Sequence, residues 1–148
     1  MIDIRPMRHD ETEVWAALRS RLWPDCGPED NAEDIAAFQS GGPVKIVFIA
    51  FDGQTAVGFA EISERSVVDS CGNAPAAFLE GWFVEPEYQK QGVGGALIAA
   101  AKDWASNQNY AYLGSDAVLE NEISHAAHLA LGFEETGRVV NFRMELGK

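Results

Sequence analysis

The sequence predicts an α/β chain of the α+β kind, with a mixed central β-sheet and helices on its faces. Three observations carry this. Apolar, β-branched runs stand at Lys45–Phe51, Thr55–Ile62 and Ala77–Val84, and Asp52-Gly53 between the first two is a strong hairpin signal. Apolar residues at helical spacing precede them, at Trp15, Leu18 and Leu22 and again at Ile35 and Phe38. After them a glycine-rich loop opens an alanine-rich helix, Ala96–Ala105, and Ala111–Ser115 then reads as a further strand. A strand, a helix and a strand in that order make a parallel crossover.

In chain order, residues 1–7 alternate as a strand, with Ile2 and Ile4 on one side and Pro6 near its end. His9-Asp10-Glu11-Thr12 starts the first helix, and Leu22-Trp23-Pro24-Asp25-Cys26-Gly27-Pro28 breaks it with a run of turn residues. The tryptophan in that break has two readings, a lid on the core or a wall of a cleft. Residues 30–40 resume helix, with Glu29, Asp30, Glu33 and Asp34 near its start, where acidic groups favour the helix dipole. Gly41-Gly42-Pro43 stops it. Residues 66–75 form a polar loop or hairpin end. Asn121–Leu131 is helical and ends at Gly132, and Arg138–Leu146 reads as a last strand. The expected order is therefore β α α β β β α β α β. No repeat, low-complexity tract or linker interrupts it, so residues 1–148 are expected to form a single domain.

Composition narrows the function classes. Hydrophobic residues make up 47% and charged residues 23%, which suits a soluble globular protein and not a disordered one. The formal net charge of −12 argues against nucleic acid as a partner, because phosphate contacts need clustered Lys and Arg. An acidic surface attracts cations, although solubility alone also explains it. Cys26 and Cys71 give neither metal spacing nor a disulfide framework. No apolar run reaches signal-peptide or membrane-span length, so a cytoplasmic location without a membrane is expected.

The chain turns on the stretch from Phe83 to Leu97. Pro86 ends the strand, since proline supplies no ladder N–H. Glycines at a strand-to-helix junction let backbone N–H groups converge on a diphosphate at the helix N-terminus. A dinucleotide fingerprint fails here, because its third glycine position is Leu97, and the Gly-Lys-Ser/Thr of a P-loop is absent. An ordinary tight αβ connection is the plain alternative. What stands is Gln89-x-x-Gly92-x-Gly94, which resembles the coenzyme A pyrophosphate loop of the GNAT superfamily of N-acetyltransferases. The resemblance spans almost the whole chain and implies a GNAT fold, with a splayed parallel strand pair. It implies acetyl-CoA as cosubstrate, held by Trp82, Phe83, Val84 and the loop Gln89, Lys90, Gln91, Gly92, Val93, Gly94 and Gly95.

Carboxylates follow. Glu80 stands inside an apolar strand, where a charge needs a partner or a reason. A neighbouring cation at the sheet face would account for it as well as a function would. Asp116 directly follows the next strand and would by itself pass for a turn or cap residue. Together they suit a polycationic substrate. Trp23-Pro24-Asp25, Phe78-Leu79-Glu80-Gly81, Ser115-Asp116 and the run from Asn121 through Ser124 and His128 to Thr136 resemble the aminoglycoside 6′-N-acetyltransferases. These bacterial resistance enzymes move acetyl from acetyl-CoA to the 6′-amine of drugs such as tobramycin. The resemblance implies that Trp23 packs on sugar rings, with Asp25 and Cys26 beside it. It implies that Glu80 and Asp116 hold ammonium groups and that Asn121 contacts the pantetheine arm. Cys26 and Gly137 stand where relatives often have His and Glu, and residues 64–72 lack the tyrosines often found there. A homodimer, to which the last strand contributes, is expected from the same analogy.

Acetyl transfer from a thioester to an amine needs a deprotonated amine, a donor to the carbonyl oxygen and a proton for the leaving thiolate. Asp116 is the first candidate base and Glu80 the second. The oxyanion donor is expected to be a backbone N–H around Phe83 or Val84. His128 stands four residues before the pair Gly132-Phe133, a position where many GNAT enzymes carry a tyrosine acid. Its plain reading is a half-buried helix histidine bonded to its neighbours. No metal is expected. Two other functions keep the fold: acetylation of a polyamine or protein amine, and non-catalytic acetyl-CoA binding.

Overall fold

The computed structural model describes residues 1–147, in two compact units, residues 1–116 and residues 117–147. The first unit holds a five-stranded sheet in sequence order: β1 (Ile2–Pro6), β2 (Val44–Asp52), β3 (Thr55–Arg65), β4 (Ala76–Val84) and β5 (Leu113–Ser115). The first four strands pair antiparallel and β4 pairs with β5 in parallel, so the sheet is mixed, as expected. Two residues, Gly53 and Gln54, turn β2 into β3, one position later than the Asp-Gly pair suggests, and Gly53 takes φ +61.

Helices α1 (Thr12–Leu22) and α2 (Pro28–Gln39) cover one face of the sheet. There Trp15, Leu18, Val47, Ile49, Phe51 and Phe59 form a core cluster, with Ile35, Phe38 and Phe83 against it. Helix α3 (Val93–Asn107) covers the other face, where the Leu97 side chain reaches 3.4 Å from the position a Cβ on Gly58 would take. Period-2 alternation divides β3 between the faces, Phe59, Glu61 and Ser63 toward α1, and Gly58, Ala60 and Ile62 toward α3.

Several boundaries differ from the sequence reading. Helix α2 begins at Pro28, a residue favoured at a first helical position. Strand β3 runs on through Ser63, Glu64 and Arg65, whose polarity hid it. Strand β5 is shorter than Ala111–Ser115, because Ala111 and Tyr112 are exposed and unpaired in the sheet.

The second unit contains α4 (Glu122–Ala130), capped by Asn121, whose Oδ1 accepts from the Ser124 N–H at 3.1 Å. Gly132 follows in the left-handed region, φ +98, as the stop signal requires. The expected last strand, Arg138–Leu146, is not formed: residues 133–147 have no regular secondary structure, and Val140, Phe142, Met144 and Leu146 are exposed. Alternating apolar residues report a capacity for pairing, and a strand exists only where a neighbour supplies the ladder.

Candidate active site

The site is organised by an irregularity between β3 and β4. Glu61 lies opposite Gly81 and Ile62 opposite Leu79, so Glu80 is the extra residue of a β-bulge. A bulge re-aims its extra side chain, and here it turns Glu80 onto the face that Ser63 occupies. Ser63 Oγ donates to Glu80 Oε2. Arg65 completes the arrangement as a fork, Nε to Oε2 at 2.9 Å and Nη2 to Oε1 at 2.7 Å. The same guanidinium stacks on the Phe78 ring, 3.6 Å from its centroid. Half-burial pushes the Glu80 carboxyl up, but the bonds from Arg65 and Ser63 outweigh it and hold the carboxyl below its usual range. The structure thus bears out the reading of Glu80 as a carboxylate held by a cation.

The β4–β5 pairing runs Ala77↔Leu113, Phe78↔Gly114 and Leu79↔Ser115 and stops there. The next residue on each strand is a carboxylate, Glu80 on β4 and Asp116 after β5. Both therefore stand where the parallel strands part. The Asp116 charge also acts on Arg65. Past this point the outer edge of β4 has no neighbouring strand among the described residues. The Glu85 N–H donates to Val57 O at 2.8 Å. Antiparallel alternation then turns the Phe83 N–H toward β3 and the Val84 N–H toward the open edge. Of the two candidate donors, Phe83 is spent on the ladder.

Trp23 closes α1 and lies over the same face. Its N–H donates to Arg19 O at 2.7 Å, and its ring stands edge-on to Phe59, centroids 6.5 Å apart. Beneath it a buried polar group is assembled. Arg19 Nε lies 3.1 Å from Glu61 Oε1 as an ion pair, and that oxygen accepts a hydrogen bond from Trp15 Nε1 at 3.0 Å. Arg19 Nη1 reaches Asp34 at 2.7 Å and Asn31 at 3.2 Å. The guanidinium sits 5.1 Å from the Trp23 ring centroid and 5.3 Å from that of Trp15. Asp25 is exposed. Cys26 is a half-buried free thiol whose Sγ lies 3.2 Å from Asn31 Oδ1.

The glycine loop presents open backbone at the start of α3. Lys90 (φ +62) and Gly92 (φ +85) are both left-handed, and Gly92 is the N-cap of the 15-residue α3. Nothing lies within 4 Å of a Cβ placed on Gly92, so the approach to the backbone there is open. Trp82 packs on Gly94: its indole N–H donates to Gly94 O at 3.2 Å. Gln89 and Gln91 brace the loop through Val84 O at 3.0 Å and Glu87 O at 2.9 Å. Val93 is buried in the core, which leaves only its backbone for a ligand. Gly95 follows in the first turn of α3. These residues fit a diphosphate.

Asn121 and His128 belong to the second unit. His128 Nδ1 lies 2.7 Å from Ser124 O and 3.3 Å from Ser124 Oγ. Its ring stands edge-on to Phe133 at 5.0 Å. Among the described residues no group of three or more His, Cys, Asp or Glu is placed to hold a metal ion. No helix among them is long and apolar enough to cross a membrane.

The sequence reading missed Ser63, Arg65, Arg19 and Glu61. The last had a signal, a charge inside the apolar run Val57–Ile62, and the spacing Trp15, Arg19, Trp23 puts an arginine between two rings on one helix face. Arg65 was implied only by the need of Glu80 for a cation.

Residues 11–133 match the model of the Acetyltransferase (GNAT) family. An aminoglycoside N(6′)-acetyltransferase type 1 from Klebsiella aerogenes is 40% identical over 147 residues, covering 97% of this chain and 96% of its own. One from Stenotrophomonas maltophilia is 42% identical over 145 residues, covering 97% and 93%. The structure of AAC(6′)-Iy in complex with the bisubstrate analogue CoA-S-monomethyl-acetylneamine superposes with a TM-score of 0.91 at 38% identity, covering 98% of this chain and 99% of that one. With the parted strands and the glycine loop already in place, these likenesses settle the family: the chain belongs to the GNAT acetyltransferases, in the group of the aminoglycoside 6′-N-acetyltransferases.

Proposed function

We propose that this protein transfers acetyl from acetyl-CoA directly to the 6′-amine of aminoglycosides, and so confers resistance to them. The observation that carries the reading is the parting of β4 and β5 directly before Glu80 and Asp116. It leaves an open strand edge for a thioester arm beside two carboxylates for a cationic acceptor.

The thioester supplies the activated acetyl group, and the chain supplies placement and proton transfer. Backbone N–H groups from Gln89 to Gly95 hold the diphosphate, and Trp82 supports the loop. Trp23 provides a flat apolar surface for a sugar ring, with Asp25 and Cys26 beside it. Glu80, kept ionised by Arg65 and Ser63, is a poor base and a good ammonium ligand. Asp116 is exposed and takes the proton from the reacting amine, directly or through water. The Val84 N–H donates to the carbonyl oxygen as charge develops on it.

The whole chain works as one acetyltransferase domain in the cytoplasm, where Cys26 and Cys71 stay reduced. It works as a homodimer, and the exposed apolar residues Val140, Phe142, Met144 and Leu146 form part of the contact. Sedimentation equilibrium checks this: a monomer at micromolar concentration excludes it. An acceptor screen by coenzyme A release tests the activity. Turnover of tobramycin and kanamycin supports it, and turnover confined to spermidine or to peptide amines displaces it.

A further inference from the structure

We infer that Arg65 is a specificity-determining residue of the acceptor cleft, a built-in cation that occupies the place on Glu80 which a substrate ammonium must take. The inference rests on the acceptor reading given above.

A carboxylate offers two oxygens and about four lone-pair directions. Glu80 accepts from Ser63 Oγ, from Arg65 Nε and from Arg65 Nη2, with the guanidinium fork engaging both oxygens. That leaves little capacity for an incoming ammonium. A planar fork on a carboxylate is also the geometry in which arginine binds most firmly. With three of about four directions taken, an ammonium that makes more than one bond to Glu80 displaces one or both of the arginine's bonds.

Displacement is inexpensive for a structural reason. The pair is half-exposed, with side-chain accessibilities of 43% for Arg65 and 25% for Glu80. Water reaches both groups and screens the pair, so the fork is weaker here than it would be in a buried site. The released guanidinium also keeps a resting place, because it already lies on the Phe78 ring. Phe78 is fixed in turn, since a Cβ on Gly114 would come within 3.0 Å of its Cδ1. Arg65 thus has two favourable neighbours and can give up one.

The consequence is selection by charge number. A singly charged amine that takes Glu80 from Arg65 exchanges one ion pair for another and gains little. An acceptor with several ammonium groups also engages Asp116, whose charge already acts on Arg65, and it gains contacts that the arginine alone does not make. In a chain of net charge −12, which attracts small cations indiscriminately, an internal counterion at the site penalises the weakly charged ones.

The test compares Arg65→Met with the parent, using tobramycin and the monoamine methyl 6-amino-6-deoxyglucoside as acceptors. Lys102→Met, on the exposed surface of α3, makes the same charge change elsewhere. Arg65→Met is expected to lower the KM for tobramycin about three- to tenfold, to improve kcat/KM for the monoamine by at least as much, and to leave the acetyl-CoA KM unchanged. Arg65→Lys, which keeps the charge without the fork, is expected to fall between, and Lys102→Met to match the parent. An acceptor KM for Arg65→Met equal to or above the parent value overturns the inference, as does the same fall in Lys102→Met. If Arg65→Met fails to fold, Arg65→Lys decides alone, by a lowered or an unlowered acceptor KM. A parent protein inactive on every aminoglycoside is a separate result, which removes the acceptor reading and this inference with it.

Discussion

Trp23 lies across Gly81: its Cη2 stands 2.8 Å from the position that a Cβ on residue 81 would occupy. The same Cβ would come within 3.2 Å of Glu61 Cγ and of Phe59 Cε2. A hydrogen at this one position of β4 therefore lets the indole settle onto the strand next to Glu80. Gly81→Ala is expected to push Trp23 outward and to cost about 1–3 kcal/mol of stability through overpacking. Its acceptor KM should rise several-fold while the acetyl-CoA KM stays put. Urea denaturation and steady-state kinetics check both, and an unchanged acceptor KM would separate Trp23 from substrate binding.

Gly92 presents a different constraint. A Cβ there meets nothing, so its strain comes only from φ +85. Gly92→Val is expected to lose about 1–2 kcal/mol from the left-handed backbone and to weaken acetyl-CoA binding by calorimetry, with aminoglycoside binding retained. Equal loss of both ligands would show a general collapse of the loop.

Asp116→Asn should lower kcat with an aminoglycoside by more than about tenfold, the scale of lost acid–base assistance. Glu80→Gln should act mainly on the acceptor KM, because a carboxyl held below its usual range serves better as an ammonium ligand than as a base. Should the two variants exchange these effects, the roles of the two carboxylates are reversed.

Glu80 also carries a pH signature. Its folded-state value is lowered from 4.5, so its contribution to stability is present above that pH. The contribution is lost as the pH falls below 4.5 and through the lowered folded value. The stability difference between the parent and Glu80→Gln should therefore shrink on acidification across that window and stay level above it. Thermal unfolding at a series of pH values measures it, and a difference that grows toward acid would be the wrong sign.

The buried pair of Arg19 and Glu61 is a structural counterpart. Their side chains are 8% and 4% accessible, and Arg19 Nε has no hydrogen bond of good geometry although Glu61 lies 3.1 Å away. Arg19→Met leaves the Glu61 charge buried with one neutral donor and should cost about 3–5 kcal/mol. Arg19→Met combined with Glu61→Leu should regain most of that loss, because an apolar pair of similar volume replaces a desolvated one. A double variant no better than the single would show that the ion pair itself holds α1 to the sheet.

Much of this molecule was legible in the sequence because its strands and helices are locally self-consistent. The hairpin of β2 and β3, the proline after β4 and the glycines before α3 each act through their own backbone preferences. Glu80 and Asp116 could be picked out because a carboxylate in or after an apolar strand is costly without a reason. What stayed hidden depends on pairing. The bulge at Glu80 is a property of the β3–β4 register, and the arginine that reaches it lies 15 positions away in the chain. Residues 138–146 fail in the opposite direction: their alternation is real, but the described residues give them no strand partner.

The most direct measurement of the central claim is coenzyme A release by the purified protein with acetyl-CoA and tobramycin, followed by NMR assignment of the acetylated nitrogen. The expected result is saturable turnover and a single acetyl group on the 6′ nitrogen. Absence of turnover despite acetyl-CoA binding, or acetylation at another amine, would contradict it.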